Sequence, residues 1–335
     1  MTKATRWFVF GSIGILTVGL CTGLLAYYGG LPAGAAQPAT ISELAYMPSD
    51  ATMVAFADVQ TVMHSEMRQR LKALVRDREK GQETFREETG IDIENDVDRV
   101  VACMIPNQAG DDEHGSGFAA VRGRFDNTRL EGLLRQHGGT VEEYKGIRLV
   151  HLVRPHGDDH PGDTDSKRGV LAFAEPGLLL VGDEAGVRHA IDQRASGSTA
   201  VSQPALMDLL RQVDSGATAW AVGRADALTK RASLPPGVQA QIPAIEWFTV
   251  SGHIDGGVRG TLRAEARDDE SAKNLRDVIN GALALGRLQA TQKPEFQSLL
   301  NSLQLSGQGK SVSLSFTLPD ELFELLAQRP KRAND

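Results

Sequence analysis

The densest group of potential metal ligands in this sequence lies between His151 and Asp165. Its candidate ligands are the imidazoles of His151, His156 and His160 and the carboxylate of Asp158. Neutral imidazole and carboxylate oxygen are good zinc ligands, and three of them with one open position make a catalytic centre. An envelope hydrolase or metalloenzyme that uses this region is therefore one function that the sequence allows.

Two prolines in the same stretch argue against a specific metal site. Pro155 and Pro161, together with the glycines beside them, predict a solvated loop between two paired strands. A specific site needs a rigid frame and hydrogen-bond partners that orient its ligands. We therefore expect no metal and no other cofactor, and we keep the four side chains only as weak metal candidates.

Two glycine-rich motifs resemble nucleotide-binding loops but stand in the wrong structural context. Residues 115–120 (GSGFAA) match a loose dinucleotide fingerprint, and residues 309–311 (GKS) match the end of a phosphate-binding loop. Both mechanisms need the glycines to open a helix, whereas both segments lead into predicted strands. Because no G-x-S-x-G occurs either, we predict no catalytic and no cofactor-binding residues, and a chain that is not an enzyme.

One candidate interaction surface lies on the clearest hairpin of the sequence. Apolar and polar residues alternate on both sides of the turn at residues 255–257, which predicts an antiparallel pair with one polar face. Trp247, His253, Arg259 and Arg263 fall on that polar face. Aromatic and Arg side chains are enriched at interfaces, so we predict binding there. The alternative is a polar face that is merely solvated or covered by a helix.

The elements around these residues predict an α+β fold made of two similar lobes of mostly antiparallel sheet packed with helices. Short apolar strands alternate with helical patterns, and the order strand, helix, two strands, helix, two strands, helix occurs twice. Residues 51–55 (ATMVA) and 217–222 (ATAWAV) open the two series in a similar way. We therefore predict an internal duplication, with a first lobe at 43–215, a second at 216–328 and a polar tail at 329–335.

Three residues are predicted to begin helices by accepting a hydrogen bond at the N-cap. Asp126 and Asp183 each precede an apolar pattern of helical period, and Ser202 precedes another. A single cysteine, Cys103, lies beyond residue 40 and sits in an apolar strand. We therefore expect no disulfide in the globular part and a buried, inert thiol.

The N-terminal residues predict a membrane anchor. The stretch from Trp7 to Tyr28 carries no charged side chain, and Lys3 and Arg6 precede it. A run of this length suits a transmembrane helix, and basic residues prefer the cytoplasmic side. We predict a cytoplasmic tip at 1–6, a transmembrane helix at 7–28 and a stalk at 29–42. The alternative is cleavage near Ala35, which would release a secreted protein.

The predicted location is therefore the bacterial inner membrane, crossed once, with the N-terminus inside and the ectodomain outside. The 335-residue chain carries a formal net charge of −7. Nucleic-acid binders need clustered basic charge, so we exclude nucleic acid as a partner. The partners that remain are the inner membrane, through the N-terminal helix, and an envelope protein.

Residues 89–100 (TGIDIENDVDRV), together with the order of anchor, stalk, strand and helix, resemble uncharacterised bacterial single-span membrane proteins with duplicated α+β ectodomains. The resemblance implies export and a non-catalytic role, and it supplies no functional residues. The leading hypothesis is a membrane-anchored extracytoplasmic ectodomain that binds or scaffolds an unknown ligand.

Overall fold

The computed structural model describes residues 41–65, 86, 89–106, 116–152, 169–214, 216–225, 245–254, 257–290 and 294–318. The predicted transmembrane helix, the stalk up to residue 40 and the polar tail lie outside these residues, as do His156, Asp158 and His160. Within the described residues, no helix is both long and apolar enough to cross a membrane.

A mixed α+β architecture is confirmed, and it is dominated by one large antiparallel sheet. The strands are β1 (Met53–Ala57), β2 (Val97–Ile105), β3 (Ser116–Gly123), β4 (Thr140–Tyr144), β5 (Ile147–His151), β6 (Gly169–Glu175), β7 (Leu178–Asp183), β8 (Ala219–Arg224), β9 (Ile245–Ile254), β10 (Val258–Ala266), β11 (Gln304–Ser306) and β12 (Ser311–Leu318). The described helices are α1 (Val59–Met63), α2 (Ile93–Asp96), α3 (Asn127–Gln136), α4 (Glu184–Ser196), α5 (Pro204–Gln212), α6 (Asp269–Ala290) and α7 (Pro294–Ser302).

All twelve strands belong to one sheet, in the order β11-β12-β10-β9-β8-β1-β2-β3-β7-β6-β5-β4. Starting from its centre, the order β1-β2-β3-β7-β6 on one side matches β8-β9-β10-β12-β11 on the other. The first side then continues through β5 and β4. We call β1 to β7 the first half and β8 to β12 the second half; the two halves share a sheet because β1 pairs with β8.

The β1–β8 junction repeats its hydrogen bonds. Ala55 lies opposite Ala221 at the middle of the pair. The Arg224 amide donates to the Thr52 carbonyl at 2.8 Å, and the Asp58 amide donates to the Thr218 carbonyl at 2.9 Å. When residues 51–55 are aligned with residues 217–221, Thr52 corresponds to Thr218 and Asp58 corresponds to Arg224. The two hydrogen bonds are therefore equivalent in the two halves.

The main core lies on one face of the sheet, which we call the front face. Side chains alternate along a strand, and residues that are paired across strands share a face. In the first half and β8, the front-face residues are apolar and buried: Val54, Phe56, Val101, Cys103, Phe118, Ala120, Leu149, Ala172, Leu180, Trp220 and Val222. The 3₁₀ turn Ser42–Tyr46 and the helices α4 and α5 cover them with Leu44, Met47, Val187, Ile191, Leu206 and Leu210.

The opposite, back face is covered by other helices in each half. In the first half, Leu130 of α3 packs with Leu171 and Leu179. In the second half, Ala272 and Leu275 of α6 pack with Val312. Each half therefore buries apolar surface on this side of the sheet, as a helix-covered antiparallel sheet requires.

The predicted helix starts are confirmed at two of three positions. Asp126 accepts a hydrogen bond from the Arg129 amide at 3.0 Å, and Asp183 accepts one from the Gly186 amide at 2.7 Å. The Ser202 prediction was wrong: its hydroxyl donates to the Thr199 carbonyl, and Gln203 is the N-cap of α5. Pro204 fixes this boundary because proline suits the first helical position.

The strand β4 and the helices α2 and α7 were not predicted from the sequence. Strand β4 lies at the edge of the sheet and carries three polar residues in five, so it lacks the apolar alternation of a half-buried strand. Ile41, expected at the end of the stalk, is 5% exposed and belongs to the main core.

Candidate functional site

The polar residues predicted as an interaction surface lie on the front face of the second half. His253 pairs with Arg259, and Arg263 pairs with Thr249. Trp247 pairs with Glu265 on the same face. The structure therefore brings the four predicted residues onto one side of the same two strands.

The neighbouring strand extends this surface with hydroxyl groups. On β12, the paired front-face residues are Ser311, Ser313, Ser315 and Thr317. Thr261, at the middle of β10, lies between Ser251 and Ser315, and its hydroxyl is 3.3 Å from that of Ser315. We call these front-face residues of β9, β10 and β12 the polar half-face.

Exposure varies across the polar half-face. Arg259 and Thr317 are exposed, whereas Thr249 and Ser251, next to β8, are each 6% exposed. Trp247 is only partly exposed because it packs against the main core, so it supports the surface from its inner edge.

The charges on the polar half-face are mostly basic. Arg263 donates from Nε to Glu265 at 3.0 Å, and His253 Nε2 lies 3.5 Å from an Asp214 oxygen. The surface thus combines two guanidinium groups, one of them paired with the Glu265 carboxylate, and an imidazole with many hydroxyls in a chain of net charge −7. Such groups donate hydrogen bonds to carboxylates and other oxygen acceptors.

A separate network of charges fixes the 3₁₀ turn Ser42–Tyr46 to the sheet. Glu43 is fully buried and accepts hydrogen bonds from Arg122 at 2.7 Å and Arg99 at 3.1 Å. Burial alone would raise the pKa of Glu43, but the hydrogen bonds and charges of the two arginines outweigh it and hold that pKa below its usual value. The carboxylate therefore stays ionised and stabilises this attachment.

The same network continues through Glu175. The Tyr46 hydroxyl donates to Glu175 at 2.7 Å, and Arg194 stacks over the Tyr46 ring at 4.6 Å from its centroid. Burial and the hydrogen bond to Glu175 raise the pKa of Tyr46 to about 12. Each acid faces an arginine here, so the network suits attachment better than proton transfer.

The weak metal candidate His151 lies at the outer edge of the first half, in a second charge cluster. Its Nε2 is 3.0 Å from Glu142 on β4, and its Nδ1 is 3.6 Å from Glu184 at the start of α4. Arg188 of α4 lies 2.7 Å from Glu142 and 2.9 Å from Glu184. Hydrogen bonds from Arg188 and His151 lower the pKa of Glu142.

Glu142 and Glu184 were not predicted from the sequence, because their proximity to His151 depends on strand pairing and on the direction of α4. Thr140 pairs with His151 in the β4–β5 hairpin, which places Glu142 and His151 on the front face of neighbouring strands. Asp183 is the N-cap of α4, so Glu184 lies in the first turn of this helix, on the side of the sheet where Glu142 and His151 lie. The signal available in the sequence was the hairpin itself, since residues 140–151 pair around Gly146.

The described residues also enclose a small cavity of about 210 Å³, lined in part by Gly90, Arg124 and Arg129. Its volume is below the usual range for small-molecule sites. The Cys103 thiol is 1% exposed, and burial raises its pKa well above the ordinary value, as expected for an inert structural cysteine.

No family model and no curated protein matches this chain. Among solved structures, crystal form I of TP0453 is similar to it at 10% sequence identity, with a TM-score of 0.43. The alignment covers 88% of this chain and 98% of the TP0453 chain.

Proposed function

We propose that this chain is a membrane-anchored, non-catalytic binding protein of the bacterial envelope, and that it recognises an acidic protein partner through the polar half-face. The observation that carries the proposal is the composition of one sheet face. In the first half this face is apolar and lies under helices, whereas on β9, β10 and β12 of the second half it presents arginines and hydroxyls. Polar groups spread over a sheet suit recognition, while catalysis needs them gathered in a pocket.

The basic character of this surface favours an acidic partner. Arg259 and Arg263 point to the same side of β10, and Thr261 stands between them. Arginine forms two parallel hydrogen bonds with a carboxylate, so the pair can bind acidic side chains with defined geometry. Electrostatic attraction of this kind raises the association rate and weakens with salt.

Site-specific photo-cross-linking in intact cells tests the binding proposal. A photoreactive residue at Thr317 should yield a cross-linked partner, whereas one at Arg135, an exposed residue of α3, should yield none. Replacing Arg259 and Arg263 together by Ala should reduce the Thr317 product about tenfold or more, as loss of central interface residues does. An unchanged product in that double variant would contradict the proposal.

We further propose that residues 7–28 anchor the protein and that residues 43–335 are exported. The charge asymmetry around the apolar run supports this topology. A periplasm-dependent reporter enzyme fused after Asp335 should be active in the membrane fraction. Activity in the soluble periplasm would indicate cleavage near Ala35, and activity in the cytoplasm would reverse the topology.

We also propose that the two halves arose by duplication and correspond to the predicted lobes at 43–215 and 216–328. The repeated strand order and the paired hydrogen bonds of Thr52 and Thr218 support this. In an experimental structure, β1, β2, β3, β7 and β6 should overlay β8, β9, β10, β12 and β11. A mismatch in strand direction or connection would contradict the duplication.

A further inference from the structure

We propose that Glu142, His151 and Glu184 form a binding site for a divalent metal ion of the zinc type. One ligand atom from each side chain lies within 4.8 Å of the others. The three residues come from β4, β5 and the first turn of α4, which are regular elements of the first half. This set goes beyond the weak candidates of the sequence, since it needs neither His156 nor His160.

The position of the imidazole between two carboxylates is the observation that points to a cation. Its Nε2 faces Glu142 at 3.0 Å, and its Nδ1 faces Glu184 at 3.6 Å. A neutral imidazole carries one N–H, so its other nitrogen directs a lone pair towards a carboxylate oxygen. A metal ion coordinated by that nitrogen and by the carboxylate that faces it replaces this repulsion with attraction, and the other carboxylate has to turn towards the same side of the ring to join the coordination.

The spacing is close to that of a zinc centre. Zinc bonds of about 2.0 to 2.1 Å in tetrahedral geometry place neighbouring ligand atoms roughly 3.3 Å apart. The 3.0 Å separation between His151 Nε2 and Glu142 lies near that value, whereas the 3.6 Å separation to Glu184 starts from the other ring nitrogen, Nδ1. One ion binds only one nitrogen of the ring, so one of the two carboxylates has to rotate to the other side of the imidazole to complete three-ligand coordination, with the ligand atoms starting within 4.8 Å of one another.

Arg188 and its neighbours supply the outer frame. Arg188 donates to Oε2 of Glu142, the oxygen that also faces His151, and to Oε1 of Glu184, which leaves Oε2 of Glu184 directed towards His151. The Arg188 guanidinium lies 4.5 Å from the centroid of the Tyr144 ring. Groups that orient metal ligands in this way typically contribute about 10–100-fold to affinity.

The donor set selects the class of metal. One imidazole with two carboxylates suits zinc and similar transition metals, whereas calcium prefers six to eight oxygen ligands. With two carboxylates and one guanidinium, the cluster carries a negative charge when His151 is neutral, which favours a dication. Three protein ligands also leave a fourth position for water or a partner's side chain.

Calorimetric titration of the full-length chain, purified without a histidine tag, with zinc chloride tests the proposal. We expect one zinc ion per chain, and at least about tenfold weaker binding in each of E142Q and E184Q. The matched control is E143Q, because Glu143 lies next to Glu142 on β4 but pairs with Arg148 on the back face. This control should bind zinc like the unmodified chain.

A second control separates this cluster from the histidine-rich stretch that follows β5. The double variant H156A/H160A should keep its zinc affinity and stoichiometry. Loss of binding in that variant, with E142Q and E184Q unchanged, would overturn the proposal. No binding of zinc at about 100 μM to the unmodified chain, or binding of calcium in preference to zinc, would also overturn it. Thermal melting without metal confirms that each variant is folded before it is titrated.

Discussion

The front face of the sheet differs sharply between its two halves, although the first five strands on either side of the β1–β8 junction follow the same order. In the first half, Phe118 and Leu180 are fully buried beneath helices. In the second half, Thr261 and Ser315 occupy the middle of the corresponding strands and carry hydroxyls. Side-chain chemistry, more than strand connectivity, therefore determines which part of this face is buried beneath helices and which part presents polar groups.

The back face does not show this contrast. Both halves pack apolar residues against a helix there, through Leu130 in the first half and Leu275 in the second. The strands beyond β8 therefore bury apolar residues on the back face, whereas Trp220 and Val222 of β8 belong to the main core on the front face. The front face of β9, β10 and β12 can accept polar residues at little cost, because hydroxyls at a partly exposed surface keep their hydrogen bonds.

The largest expected effect is on the covered half-face, by which we mean the buried apolar front-face residues of the first half and β8 that lie beneath helices. Phe118→Ala should lower the free energy of unfolding by about 3–5 kcal/mol, because it leaves a cavity in the main core. Thr261→Ala, at a central position of the polar half-face, should change it by less than about 0.5 kcal/mol. Urea denaturation followed by circular dichroism measures both. Equal losses in the two variants would contradict the proposed division of roles.

A second, smaller effect concerns the charges that attach the 3₁₀ turn to the covered half-face. Glu43→Gln should lower the free energy of unfolding by about 3 kcal/mol, because it leaves Arg99 and Arg122 without their shared carboxylate. The control variant Glu246→Gln removes an exposed acid of β9 and should cost under about 0.5 kcal/mol. A loss at Glu43 no larger than at Glu246 would contradict the stabilising role of the network.

The same carboxylate predicts a pH dependence. The pKa of Glu43 is lower in the folded state than the ordinary value of 4.5 that it has in the unfolded chain, so the unfolded chain binds more protons between the two values. Its contribution to stability is complete above the unfolded pKa and is lost as the pH falls through the folded pKa. Urea midpoints measured from pH 6 downwards should therefore decrease less in Glu43→Gln than in the unmodified chain.

Local patterns in the sequence predicted those elements whose signals are local. The alternation along β9 and β10 and the N-caps Asp126 and Asp183 are each set by a few neighbouring residues, and the structure has them in place. The sharing of one sheet by both halves depends on pairing between β1 and β8, which are distant in the sequence. Periodicity gives which face of a strand is apolar, but not which strand lies beside it.

The candidate sites show the same difference between local signals, which the sequence displays, and contacts between distant segments, which it does not. Trp247, His253, Arg259 and Arg263 were placed on one face correctly because alternation within a hairpin fixes a side chain's face. The partly buried position of Trp247 was not predictable, since it depends on packing of the main core against β9. Glu142 and Glu184 were missed because one lies on an edge strand without apolar alternation and the other on a helix from a later part of the chain.

The smallest expected effect does not involve stability. It compares how readily one thiol reagent reaches the covered half-face and the polar half-face. Cys103 lies on the covered half-face and is 1% exposed, and burial raises the pKa of its thiol. Thr317→Cys places a thiol on the polar half-face, at an exposed position beside Arg259, whose charge favours the reactive thiolate. In a Cys21→Ser background, iodoacetamide should label the introduced thiol in the folded protein within minutes and Cys103 only after addition of denaturant. Mass spectrometry of the two peptides measures both rates.

Rapid labelling of Cys103 in the native chain would show that the helices do not protect the first half. Slow labelling of the introduced thiol would show that the polar half-face is covered, and this would remove the surface on which the binding proposal depends.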